Sequence, residues 1–132
     1  MIYLHTSAIV KLVRLEPESA ALTTWLNERS RENKVTSRLA EVELPRTLAG
    51  TERTAIAEIL ARLDRFEIND EVRGVAAGYP QPRLSALDAI HLATADHLVA
   101  LGKTRSAFIS YDATLRIIAE EISLTTAAPG QT

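Results

Sequence analysis

The chain contains no cysteine. Disulfides, iron–sulfur clusters, thiolate zinc sites and cysteine nucleophiles are therefore excluded. The composition agrees with a reducing compartment, and a cytoplasmic protein is expected. Aromatic residues make up only 5%, too few for a platform on which nucleic-acid bases stack. Positive charge is not in excess. Lys and Arg number 15 against 17 Asp and Glu, a formal net charge of −2, which argues against a binder held to nucleic acid by general electrostatics. A nuclease working through a few local cations remains compatible with that balance. No apolar run approaches the ~20 residues that span a bilayer, so no membrane segment is expected. The opening Met-Ile-Tyr-Leu-His lacks the basic start, apolar stretch and cleavage site of a signal peptide and reads as a strand.

What is present is one domain's worth of ordinary globular sequence: 132 residues, 46% hydrophobic and 24% charged. A single domain over residues 1–128 is expected, followed by a frayed tail over 129–132. Short apolar runs alternate with helix-period segments. Strands are expected at Ile2–Leu4, Lys34–Thr36, Phe66–Ile68, Ala107–Ile109 and around Leu124. Helix caps are expected at Thr6 or Ser7, Ser19, Ser37, Thr51, Asp70, Ser85 and Asp112. Pro45 should kink or end the helix that it sits in. Trp25 lies on an apolar stripe and reads as core. The alternation implies an α/β fold with parallel strands covered by helices. Ligands in such sheets bind beyond the carboxyl ends of the strands. That points to His5-Thr6-Ser7, the helix start after Thr36-Ser37, the stretch Ser85–Asp88, and Ser110-Tyr111-Asp112.

Three acids fall at those places. Asp112 follows an apolar strand and opens a helix, which also suits a plain N-cap. Asp88 stands three residues after Ser85, which also suits a capping box. Glu43 lies between Val42 and Leu44 in a helix that looks core-facing, where a lone carboxylate is costly. Its structural alternative is an ion pair with Arg46. Clustered carboxylates repel one another and call for a counter-cation, and oxygen ligands favour magnesium or manganese. The residues by themselves allow metal-dependent phosphoryl chemistry and go no further. No Asp-x-Asp follows the first strand and no Gly-rich loop is present, which argues against a phosphatase or receiver-like domain.

Four stretches carry a resemblance that spans the chain: Met1–Leu12, Thr36–Leu44 with Arg46, Leu87–Ala95 (Leu-Asp-Ala-Ile-His-Leu-Ala-Thr-Ala) and Phe108–Asp112. In order and spacing they resemble the PIN domain, specifically VapC-type toxins of toxin–antitoxin pairs. The resemblance implies a three-layer α/β/α fold with a short parallel sheet of four to five strands. It implies an endoribonuclease dependent on Mg2+ or Mn2+, an RNA substrate, a cognate antitoxin and a homodimer. By motif position Glu43, Asp88 and Asp112 are the metal-site acids, with Ser7 and Ser110 as nearby hydroxyls and Asp96 as a further candidate against a solvated helix face. The early helices would help form the antitoxin groove.

His5 is the departure. The family's first motif normally reads Leu-Asp-Thr-Ser, and here it reads Leu4-His5-Thr6-Ser7. A neutral imidazole offers one nitrogen and no negative charge, and magnesium prefers oxygen. Reduced or lost cleavage is expected. The alternatives are an inactive module that still engages its antitoxin and possibly RNA, or a site in which His5, Glu43, Asp88 and Asp112 select a transition metal. His91 reads as a packing or hydrogen-bonding residue, and His97 as a surface one. Lys11, Arg14, Arg46, Arg83, Lys103 and Arg105 are the candidate phosphate contacts, unless they solvate helix faces or pair with acids.

Overall fold

The computed structural model describes residues 1–102 and 106–131. The candidate cations Lys103 and Arg105 lie outside the described residues. Five parallel strands form one sheet in the order β3-β2-β1-β4-β5. They are β1 (Ile2–Leu4), β2 (Lys34–Ser37), β3 (Asp64–Phe66), β4 (Ala107–Ile109) and β5 (Thr126–Ala127). The helices are α1 (Thr6–Val13), α2 (Ser19–Asn27), α3 (Ala40–Thr47), α4 (Ile56–Ala61), α5 (Asp70–Gly78), α6 (Ala86–Ala100) and α7 (Ala113–Glu121). A 3-10 segment, Gly50–Ala55, leads into α4.

The pleat of β1 explains the layering. Ile2 and Leu4 point to one face, where they pack with Ile9, Leu22, Leu44 and Ile109. Tyr3 points to the other, where it packs with Leu92, Phe108, Leu115 and Ile118. Both faces are thus covered, as a parallel sheet requires. Tyr3 stacks on Phe108 from the neighbouring strand, with ring centroids 5.3 Å apart. Among the described residues no helix is long and apolar enough to cross a membrane.

Several local expectations shift. His5, and not Thr6 or Ser7, occupies the N-cap of α1, and its side chain accepts the Ser7 N–H. Asn69 caps α5 through Val72 N–H, one residue ahead of the expected Asp70. Strand β3 begins at Asp64, two residues before the expected Phe66. Leu124 is buried but precedes β5. Helix α3 continues through Pro45 to Thr47. The ring removes one amide donor, but only two residues of helix remain to be disturbed. Ser85 and Asp112 cap α6 and α7 through Asp88 N–H and Leu115 N–H, as expected. The segment expected to fray is tied through Gln131. Tyr111 O–H donates to the Pro129 carbonyl at 2.8 Å, and Gln131 N–H bonds back to Ala128.

Candidate active site at the carboxyl edge of the sheet

Because all five strands run the same way, the ends of β1, β2 and β4 lie on one edge. The first of these ends leads into His5, the second into α3 with Glu43, and the third into Ser110 and Asp112. Helix α6 brings Asp88 and His91, one turn apart on one side, towards the same edge.

Two imidazole–carboxylate pairs occupy this edge. His5 Nε2 lies 2.9 Å from Asp88 Oδ1. His5 Nδ1 accepts from the Ser7 hydroxyl at 2.8 Å and from the Ser7 amide at 3.3 Å. An Nδ1 that accepts leaves the proton on Nε2, so the ring donates to Asp88. Ser110 Oγ stands 3.3 Å from the same Nδ1 and 3.4 Å from Ser7 Oγ. Ser7 Oγ in turn accepts the Tyr111 amide at 2.9 Å, which ties the end of β4 to the start of α1.

The second pair is deeper. His91 Nε2 donates to Glu43 Oε1 at 2.5 Å, and Thr6 Oγ1 donates to the same oxygen at 2.7 Å. Tyr3 O–H donates to His91 Nδ1 at 2.7 Å. His91 is fully buried, while Glu43 and Asp88 are partly exposed. The two imidazoles meet edge to face, with centroids 4.9 Å apart.

The charge state follows from these partners. The hydrogen bond from His5 outweighs burial and holds the Asp88 carboxyl below its ordinary value. Burial opposes the charge on Glu43, yet the His91 and Thr6 bonds together keep its carboxyl low. Burial pushes the His91 imidazole down and so favours its neutral form. Burial drives the Tyr3 phenol far up, so it stays a donor.

Asp112 is more exposed. One of its oxygens caps α7, and it shares with Asp88 a cleft of about 330 Å³. Asp96 lies outside this group, since it accepts from Tyr79 O–H at 3.2 Å. Glu43 pairs with His91 and not with Arg46, its structural alternative, which sits on an exposed part of α3. Val42, expected to face the core, is 59% exposed. His97 lies near the surface beside Glu71. The residues that sequence reasoning undervalued are Tyr3, Thr6 and His91. One available signal was a histidine one turn after Asp88 in the apolar stretch of α6, together with an internal Glu43 in need of a donor.

These residues do not make a metal cage as they stand. Among the described residues no three His, Asp or Glu side chains are grouped so as to hold a metal ion. Asp88 and Glu43 each already accept an imidazole N–H. Among the described residues the one buried side-chain polar atom without a partner is Gln81 Oε1, so no orphaned carboxylate oxygen calls for a cation.

The PIN domain model matches residues 2–121. The chain is 48% identical to Ribonuclease VapC35 of Mycobacterium tuberculosis over 134 residues, covering 99% of this chain and 98% of that protein. It is 41% identical to Ribonuclease VapC46 of the same species, covering 97% of each. Among solved structures, VapBC2 from Rickettsia felis bound to a promoter DNA fragment superposes with a TM-score of 0.68. The match covers 98% of this chain and 99% of that one at 14% identity, a likeness of fold. The chain belongs to the PIN-domain family, among its VapC-type proteins.

Proposed function

We propose that this protein is a VapC-type toxin, an endoribonuclease that cleaves RNA phosphodiester bonds, in which His5 reduces or abolishes cleavage. The single observation that carries the ribonuclease reading is end-to-end similarity to proteins named ribonucleases, at up to 48% identity. Glu43, Asp88 and Asp112 are the proposed acids, with Ser7 and His5 beside them. Their gathering at one sheet edge supports that reading. PIN-domain VapC ribonucleases are generally dependent on divalent metal, and Mg2+ or Mn2+ is the cofactor proposed here, on an oxygen-rich donor set. The imidazole bonds on Asp88 and Glu43 work against metal binding, so no reaction step is assigned to the ion. The residues themselves offer oriented carboxylates that can accept a proton from an incoming water.

A cognate antitoxin is the proposed protein partner. A mixed groove of about 300 Å³ between α1, α2 and α4, lined by Leu12, Leu26, Ile59 and Leu63 with Lys34 and Arg62 beside them, supports this. A homodimer and a cytoplasmic location complete the proposal.

One observation favours a second reading, an inactive PIN module that binds its antitoxin: His5 already gives Asp88 a hydrogen-bond donor. Cleavage of RNA by this chain and by His5→Asp, each with Mg2+ and with Mn2+, separates the two. Strong cleavage by the variant and weak cleavage by the parent supports an impaired ribonuclease. Equal activity in both overturns the claim that His5 impairs the site. No cleavage in either favours the binding module.

A further inference from the structure

RNA approaching Asp88 and Asp112 meets two carboxylates on a chain of net charge −2. A phosphate can sit there only if a local cation offsets that field. Several cations near this edge are committed elsewhere. Lys11 bonds Glu18 at 2.8 Å and Glu16 at 3.5 Å. Arg14 grips Glu52 through two nitrogens at 2.8 and 2.9 Å. Arg116 donates to the Ser110 carbonyl at 2.7 Å and holds the β4 end in place. Arg46 is exposed on α3, outside the cleft.

Arg83 differs from all of these. It is exposed in the turn between α5 and α6, lines the cleft together with Asp88 and Asp112, and pairs with no carboxylate among the described residues. The same cleft carries the Thr114 hydroxyl and the half-buried Leu84, with the core residues Leu115 and Ile118 beneath. Its volume of about 330 Å³ is at the small end for ligand sites. That is room for one nucleotide unit, whereas a double helix is far too wide to enter.

We propose that Arg83 anchors a backbone phosphate of single-stranded RNA in this cleft, placing the strand beside the Asp88–His5 pair. A guanidinium suits the task, since its planar fork matches two phosphate oxygens. A single strand, unlike a duplex, can feed one unit at a time into a cleft of this size. The contact is to backbone, so it positions the strand and reads no sequence. This inference rests on the ribonuclease reading of the same site.

The test is fluorescence anisotropy of a labelled mixed-sequence single-stranded RNA with the full chain, in chelator so that nothing is cut, across a salt titration. Arg83→Gln is expected to weaken binding by about three- to tenfold at low salt and to reduce the log–log salt slope by about 0.7, one phosphate contact on a single strand. Arg83→Lys keeps the charge and is expected to restore most of the slope. Arg73→Gln, a control on α5 that removes a partner of Asp70, is expected to change neither quantity. Unchanged affinity and slope in Arg83→Gln overturn the inference, as does an equal loss in Arg73→Gln. A blunt RNA duplex that competes as well as the single strand overturns the single-strand assignment. Failure of the parent chain to bind RNA at all overturns the ribonuclease reading and this inference with it.

Discussion

His5 Nε2 donates to Asp88 Oδ1 across 2.9 Å, joining the end of the first strand to the first turn of the longest helix. An aspartate at this position, as the resembled motif leads one to expect, would face Asp88 as a second negative charge. Here the neighbour is a hydrogen-bond donor. Repulsion is relieved here by a side chain, where two acids would have needed a cation.

That relationship predicts opposite behaviour for His5→Asp with and without metal. In chelator, the variant loses the donor to Asp88 and gains a like charge, at a cost of about 2 kcal/mol. Its thermal midpoint should therefore fall below that of the parent. Adding Mg2+ or Mn2+ should raise the variant's midpoint and leave the parent's nearly unchanged. Scanning fluorimetry of both proteins at graded metal concentrations checks this, and equal metal shifts in the two would contradict it.

The buried pair makes a second prediction. His91→Leu leaves the partly buried Glu43 with Thr6 as its one remaining donor, and the expected loss is about 1–3 kcal/mol. His91→Gln keeps a donor near Glu43 and should recover part of that. Tyr3→Phe preserves the ring stacked on Phe108 but removes the donor to His91 Nδ1, for about 1 kcal/mol. Urea denaturation of the three variants orders them, and Leu no worse than Phe at these positions would refute the relay.

Stability should fall as the solution is acidified, in two stages. His91 is depressed by burial from its ordinary 6.5. The unfolded chain therefore takes up a proton below that value while the folded chain resists it, so stability declines from about pH 6.5 downwards. Glu43 and Asp88 are depressed from 4.5 and 3.8. Their contribution is complete above those values and is lost as the pH drops through their lower folded values. Denaturation midpoints between pH 8 and 3 test the order. His91→Gln should remove the first decline and leave the second.

Asp112 combines a structural and a chemical role that substitution can separate. Asp112→Ala removes the cap on Leu115 N–H, for about 1 kcal/mol. Asp112→Asn caps about as well but has no charge, so its stability should stay within a few tenths of a kcal/mol of the parent. In the His5→Asp background, where cleavage is expected to be strong, both substitutions should abolish most of it. An Asn variant that cleaves normally would reduce Asp112 to a cap.

The layers of this fold were legible in the sequence because they rest on local periodicity. Ile2 and Leu4 alternate with Tyr3, Ser85 and Asp112 open helices, and Gly78 with Pro80 closes one. The boundaries that moved are those where neighbouring residues compete for one role. Asn69 and Asp70 can both cap, and the structure uses the first. His5 was readable as a departure from a motif, but its partner was not. Asp88 is 83 positions away, and Ser85 offered it a local explanation that is also half correct.

Sequence alone settled the alternation of strands and helices and the absence of thiol chemistry, since each follows from residue type or short spacing. Tertiary structure decided which imidazole meets which carboxylate, that Glu43 turns to His91 and not Arg46, and that Arg83 lines a cleft with two acids. These depend on how α3, α6 and α7 pack against a parallel sheet. Packing brings together groups that no local pattern relates, and it sets their burial, on which the strength of every charge depends.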